Sequence, residues 1–149
     1  MPCRETDCTN PDTFDACLEQ QLHLCQQLEA LADSLPSKLD THAAMMLTDQ
    51  LRTVLWRCHR TEEAIIFPAL RMADPRTMTI LERLRQEHLE DEDHASDVCD
   101  AVTAFVDDTN RKNAAELGYM LRCLFVSLRR HLAFDHDYIL PLYFRTRET

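Results

Sequence analysis

Glycine is almost missing from this chain: Gly118 stands alone among 149 residues. A sheet protein of this length uses glycine in its tight turns, so the scarcity favours a few long helices with few tight turns. Also missing is any apolar run near the roughly 20 residues that cross a membrane. The N-terminal stretch "MPCRETDCTNPDTF" holds no apolar signal segment, and a cytoplasmic location is expected. Positive charge is short too. Lys and Arg number 16 against 26 Asp and Glu, a formal charge of −10, which argues against non-specific nucleic-acid binding and against attraction to anionic lipid. The seven cysteines are odd in number and form no C-x-x-C pair. That excludes a disulfide framework and a zinc ribbon, and the thiols read as reduced, buried small apolar residues.

What is present is helical periodicity punctuated by proline. Pro11 precedes the first periodic segment, Pro36 ends it, Pro68 lies near the end of the second, Pro75 precedes the third and Pro141 lies near the end of the fourth. Proline is tolerated at helix edges and costly deep inside. The segments run over about Asp12 to Leu35, Asp40 to Met72, Pro75 to Asp108 and Arg111 to Arg145. Each carries an apolar stripe at 3.6-residue spacing. In the second it is Leu47, Leu51, Val54, Leu55, Cys58, Ile65 and Ala69; in the fourth it includes Leu117, Leu121, Leu124, Leu128, Leu132, Ile139 and Leu142. Long amphipathic helices with short links predict an all-α, up-down-up-down four-helix bundle as a single domain over residues 12–145, after a flexible tail at residues 1–11.

Titratable residues interrupt these stripes. At about 100° per residue, His131 and Asp135 align with the fourth stripe. His88 and either Asp91 or Glu92 align with Leu81, Leu84, Ala95 and Cys99 of the third. Glu62 lies on the second stripe, His59 at its edge, and Glu63 points largely away. Burying one unpaired carboxylate costs several kcal/mol. Three helices that each aim a histidine and an acid at one interior therefore call for a cation, since imidazole nitrogen and carboxylate oxygen are metal ligands. With alternating helix directions the three groups fall in one layer nearer one end of the bundle. Three imidazoles and three carboxylates suffice for a two-metal site with room for an exogenous ligand. His42 lies far from that layer, and His94 and His136 point off their stripes.

The stretches "EEAIIFPAL", "RLRQEHLEDE" and "HLAFDHDYILPLY", in this order and spacing, resemble the second, third and fourth helices of the hemerythrin-like family of cation-binding bundles. The resemblance covers nearly the whole chain. It implies a non-haem centre of two iron ions bridged by carboxylates and by oxide or hydroxide, with a histidine from the first helix, His plus Glu from the second, His from the third and His plus an acid from the fourth. On this sequence the metal set is His23, His59, Glu62, His88, Glu92, His131 and Asp135. The function implied is binding or sensing of O2 or NO. An iron-dependent enzyme that removes peroxide, and a regulatory bundle with a degenerate site and a protein partner, are the two competing expectations.

Two departures from the family pattern stand out. His23 is the only histidine of the first segment and lies nearly opposite the stripe of Leu18, Cys25 and Leu28, while Gln21 and Cys25 face inward at that height. Either the first helix is rotated or locally distorted, or its histidine ligand is lost, with a Cys25 thiolate as a further alternative. In the second segment the family's histidine precedes its acid by four residues, and the acid precedes proline by six. Counting back from Pro68 gives Glu62, whose i−4 residue is Cys58; His59 stands one residue later. The same count from Pro141 gives Asp135 with His131 at i−4. Were Glu63 the acid instead, a π-bulge or a rotated second helix would be required.

Overall fold

The computed structural model describes residues 11–108 and 113–148. Apart from Pro11, which opens the first helix, the expected tail with Cys3 and Cys8 lies outside the described residues. The elements are α1 (Pro11–Ser34), α2 (Thr41–Thr61), α3 (Phe67–Ala73), α4 (Met78–Asp107), α5 (Ala114–Phe134) and α6 (Leu140–Arg147). A wide π turn, Glu62–Ile66, joins α2 to α3, and a second, Asp135–Ile139, joins α5 to α6. The chain thus forms four rods: α1, α2–α3, α4 and α5–α6. There is no strand among the described residues, and no described helix is long and apolar enough to cross a membrane.

Local chemistry sets the ends of the rods. The carboxylate of Asp40 accepts the backbone N–H of Ala43 at 3.0 Å and caps α2. Asp74 leaves the helical conformation at the end of α3, and its carboxylate accepts the N–H of Arg76 at 3.0 Å. Pro75 then begins a short 3-10 turn, Pro75–Thr77, that leads into α4. Asn113 enters α5 at a φ of 67°, a left-handed conformation that asparagine tolerates better than most side chains.

The rods form a ring in which α1 packs against α2 and α5, and α4 against α2 and α5. This is the up-down-up-down four-helix bundle. Leu55, Leu121 and Leu124 at its centre are fully buried, each worth roughly 1.5–3 kcal/mol in apolar transfer.

The inward stripe changes register at both π turns. The 3.6-residue spacing predicts Ile65 and Ala69 inside; the buried residues are Ile66 and Leu70. In the last rod Ile139 is buried as expected, but Tyr143 takes the buried place predicted for Leu142. The cause is one extra residue per turn: the N–H of Phe67 reaches back five residues to the carbonyl of Glu62, and that of Leu140 to Asp135. Pro68 and Pro141 explain why. Proline offers no N–H and its ring crowds the carbonyl four residues earlier, here Ala64 and Asp137. Widening the turn relieves that crowding and keeps each rod continuous.

Candidate metal centre

The last turn of α2 delivers Cys58 and His59, and the wide turn after it opens on Glu62 and Glu63. α4 carries His88, Asp91 and Glu92 along its middle; the last turn of α5 carries His131, and the wide turn after it opens on Asp135. His59, Glu62, His88, Asp91, His131 and Asp135 are all buried. The three imidazoles lie one over another. His59 and His88 have centroids 3.9 Å apart and planes 9° apart; His88 and His131 are at 4.9 Å and 20°. The ring of Phe67 stacks on His88 at 5.8 Å.

Acids flank each ring. His88 lies between Glu62, 3.2 Å from its Nε2, and Glu63, 3.2 Å from its Nδ1. His59 Nδ1 is 3.1 Å from Glu92. His131 Nε2 is 3.3 Å from Asp135, while its Nδ1 is 3.6 Å from Asp91 and 3.7 Å from Glu87. The Ser127 hydroxyl donates to the other oxygen of Asp91 at 3.2 Å. Arg60 and Arg85 each approach Glu63 to 3.4 Å from outside. A carboxylate on one nitrogen of an imidazole fixes the ring's orientation and leaves the other nitrogen for a metal. Glu63 with His88 and Glu92 with His59 have that arrangement.

The electrostatics are those of a cluster short of positive charge. Burial, reinforced by the neighbouring Asp135 carboxylate, pushes the Glu62 carboxyl up to about 8. Burial pulls the His88 and His131 imidazoles down, but their acids outweigh it: Glu62 and Glu63 raise His88 to about 9, and Asp135 and Asp91 raise His131 to about 11. His59 is held down at about 2, by burial first and then by His88 and His131. Glu63 stays below the ordinary range: burial acts to raise it, but His88, Arg60 and Arg85 prevail.

Several buried atoms have no hydrogen-bond partner: Glu62 Oε1, Asp135 Oδ1, His88 Nε2 and both nitrogens of His131. The His88–Glu62 and His131–Asp135 pairs are close but out of line. Buried polar atoms are nearly always paired, so this concentration marks a place built for something else. Glu62, His88 and His131 each offer a ligand atom, all within 4.8 Å of one another. Imidazole nitrogen with carboxylate oxygen is a donor set for iron and its first-row neighbours. The residues fit a cation.

The model of the hemerythrin HHE cation binding domain matches residues 11–143 of this sequence. The chain belongs to that family. Neither the curated proteins nor the solved structures give a significant match. The hemerythrin-like assignment agrees with the fold and with the Glu62–His88–His131 cluster.

The residues expected in this hemerythrin-like site fall into three groups. His59, Glu62, His88, His131 and Asp135 come together in the interior. Glu92 is half-buried beside His59, and its neighbour Asp91 is buried beside His131, so the two acids that competed for one role occupy two places. His23 is not brought to the cluster. It lies on the exposed face of α1, while Gln21 and Cys25 are buried at that height, as the periodicity of α1 requires. Gln21 turns its amide to the carbonyl of Cys17, and burial pushes the Cys25 thiol up to about 11. Cys58, at the position where the resemblance puts a histidine, points its thiol at the Cys17 carbonyl of α1, 3.7 Å away.

Sequence reasoning missed Glu87 and Ser127; it reads Glu63 as a supporting or surface acid without naming His88 as its partner. The first two leave a signal: Glu87 precedes Asp91 by four residues and Ser127 precedes His131 by four, so each shares a helix face with a residue of the cluster.

Proposed function

We propose that this hemerythrin-like bundle holds iron at Glu62, His88 and His131, that His59 and Asp135 complete a two-iron set while Glu92 and Asp91 brace His59 and His131, and that the centre acts on a small reactive oxygen species such as a peroxide. The observation that carries this reading is a cleft of about 550 Å³ between α4 and α5. It reaches His131 and Asp91 and is walled by Arg83, Glu87, Arg130 and Ser127. O2 and NO are weak hydrogen-bond partners and gain little from such walls. A peroxide donates and accepts, and finds acceptors in Glu87 and Asp91 and donors in Arg83 and Arg130.

When bound, iron supplies Lewis-acid and one-electron redox chemistry. The chain supplies position and protons. Ser127 holds one oxygen of Asp91, leaving the other for a proton or for His131. Glu87, partly exposed, lies 3.7 Å from His131 Nδ1 and connects that imidazole to solvent. The stacked rings and Phe67 keep bulk water from the other side of His88.

The test is peroxide consumption by iron-loaded protein, followed beside its absorption spectrum under O2 and NO. We expect peroxide turnover that disappears, together with the iron, in His131→Ala and Glu62→Gln. Ser127→Ala should keep the iron and lose turnover. Iron-loaded protein that leaves peroxide intact yet gives reversible O2 or NO spectra would replace this reading with diatomic binding. The exposed His23 favours a second reading, a regulatory bundle with a degenerate site; a melting temperature unmoved by iron, together with a specific protein partner, would select it.

A further inference from the structure

A second cleft, of about 770 Å³, lies on the outer side of the same layer, between α3 and α4. Its volume is that of a small-molecule site. Arg60, Arg71, Arg83 and Arg85 line it against Glu63 and Glu82. The lining arginines outnumber the lining acids by two on a chain of formal charge −10, with Arg83 also 3.7 Å from Glu87 outside the cleft. Ala64 and Met78 give it an apolar wall, and Met78 is 59% exposed. The arginines are incompletely engaged. Arg60 divides its guanidinium between Glu63 at 3.4 Å and Glu92 at 3.8 Å, and its Nε is buried without an acceptor. Arg85 has Glu63 at 3.4 Å. Guanidinium groups bind carboxylate and phosphate in a forked geometry that neither of these long contacts satisfies.

We propose that this cleft binds a small amphiphilic organic anion, its oxyanion head held by Arg60, Arg71 and Arg85 and its apolar body laid against Ala64 and Met78. The ligand also addresses the buried centre. Glu63 is the acid on His88 Nδ1, and Arg60 and Arg85 are the cations that hold Glu63. An anion that draws those arginines away leaves Glu63 freer to pull on the His88 ring. The binding itself is independent of what the centre does; only the link to His88 rests on the metal reading.

Calorimetric titration of the iron-loaded full chain with octanoate, octyl phosphate and inorganic phosphate tests this. One equivalent of octanoate or octyl phosphate should bind, the tighter of the two identifying the head group, and inorganic phosphate should bind far more weakly. Arg71→Ala and Arg85→Ala alter exposed side chains; unchanged melting temperatures will confirm that both variants fold, and each should weaken binding about tenfold, the loss of one charge-assisted contact. Saturation by neither amphiphile, inorganic phosphate binding as tightly as octyl phosphate, or affinity unmoved in both variants overturns the site. Octanoate should also shift the iron charge-transfer absorption of the unmodified chain and leave that of Glu63→Gln in place. Binding with an unmoved band in the unmodified chain overturns the link. These readouts do not involve peroxide, so failure of the proposed turnover and failure of the anion site are distinguishable.

Discussion

Glu62 and Glu63 are adjacent in the chain and divide two tasks between them. Glu62 is 1% exposed and faces Asp135 and His88 in the interior; Glu63 braces the far nitrogen of His88 and is itself held by two arginines. Metal titration will separate the roles. Glu62→Gln should abolish binding, whereas Glu63→Gln should retain it with affinity lowered roughly 10–100-fold, the usual effect of removing a ligand's orienting partner. His23→Ala should leave the metal content unchanged, because its side chain is on the exposed face of α1; loss of metal in that variant would mean that α1 rotates to supply a ligand. The inward position of Glu62 was legible from its distance to Pro68 and from the stripe of α2. The bracing contact of Glu63 was not, because counting at about 100° per residue turns it away. A π turn advances by less per residue, so Glu63 stays nearer the interior. Asp91 and Glu92 posed a different problem. Each lies close enough to the inward direction to qualify, and only the positions of His131 and His59 assign one acid to each ring.

The two wide turns are the decisive elements, because each begins at an interior acid and ends just ahead of a proline. Their removal can be tested without emptying the core. Ala64 is exposed, and deleting it restores α-helical spacing while keeping Ile66 and Leu70 on the inward face. The deletion also returns the crowding between Pro68 and the carbonyl four residues before it. We expect it to destabilise the protein by about 3 kcal/mol, with most of the loss recovered when Pro68→Ala is added. A deletion tolerated without that second change would mean that proline is not what widens the turn. Four rods, their order and most of their inward residues were readable from periodicity and proline placement. The register beyond each wide turn was not, since a single inserted residue moved the buried positions from Ile65 and Ala69 to Ile66 and Leu70. The proline offset that points to Glu62 and Asp135 was also the available sign of the insertion.

At the scale of the molecule, the centre sets how stability depends on pH. In metal-free protein His88 and His131 titrate near 9 and 11 rather than at 6.5, and Glu62 near 8 rather than 4.5. All three hold protons in the fold that the unfolded chain has released. Their contribution is complete below 6.5 for the histidines and below 4.5 for Glu62, and it is lost as pH rises toward the folded values. Between pH 6.5 and 8 all three act in the same direction. The melting temperature of metal-stripped protein should therefore fall across that window, and a rise would contradict the cluster's charge arrangement. On the proposed function iron would compete with protons for these residues, so loading should raise the melting temperature most at the alkaline end. The chain also carries its own optical reporter of this state. Trp56 is the single tryptophan, 56% exposed, with the Arg60 guanidinium 5.7 Å from its ring centroid. That guanidinium also reaches Glu63 and Glu92, the acids that brace His88 and His59. A change of charge on either ring would reach the indole through one arginine, so the protein's intrinsic emission should follow the filling of a buried centre from the surface.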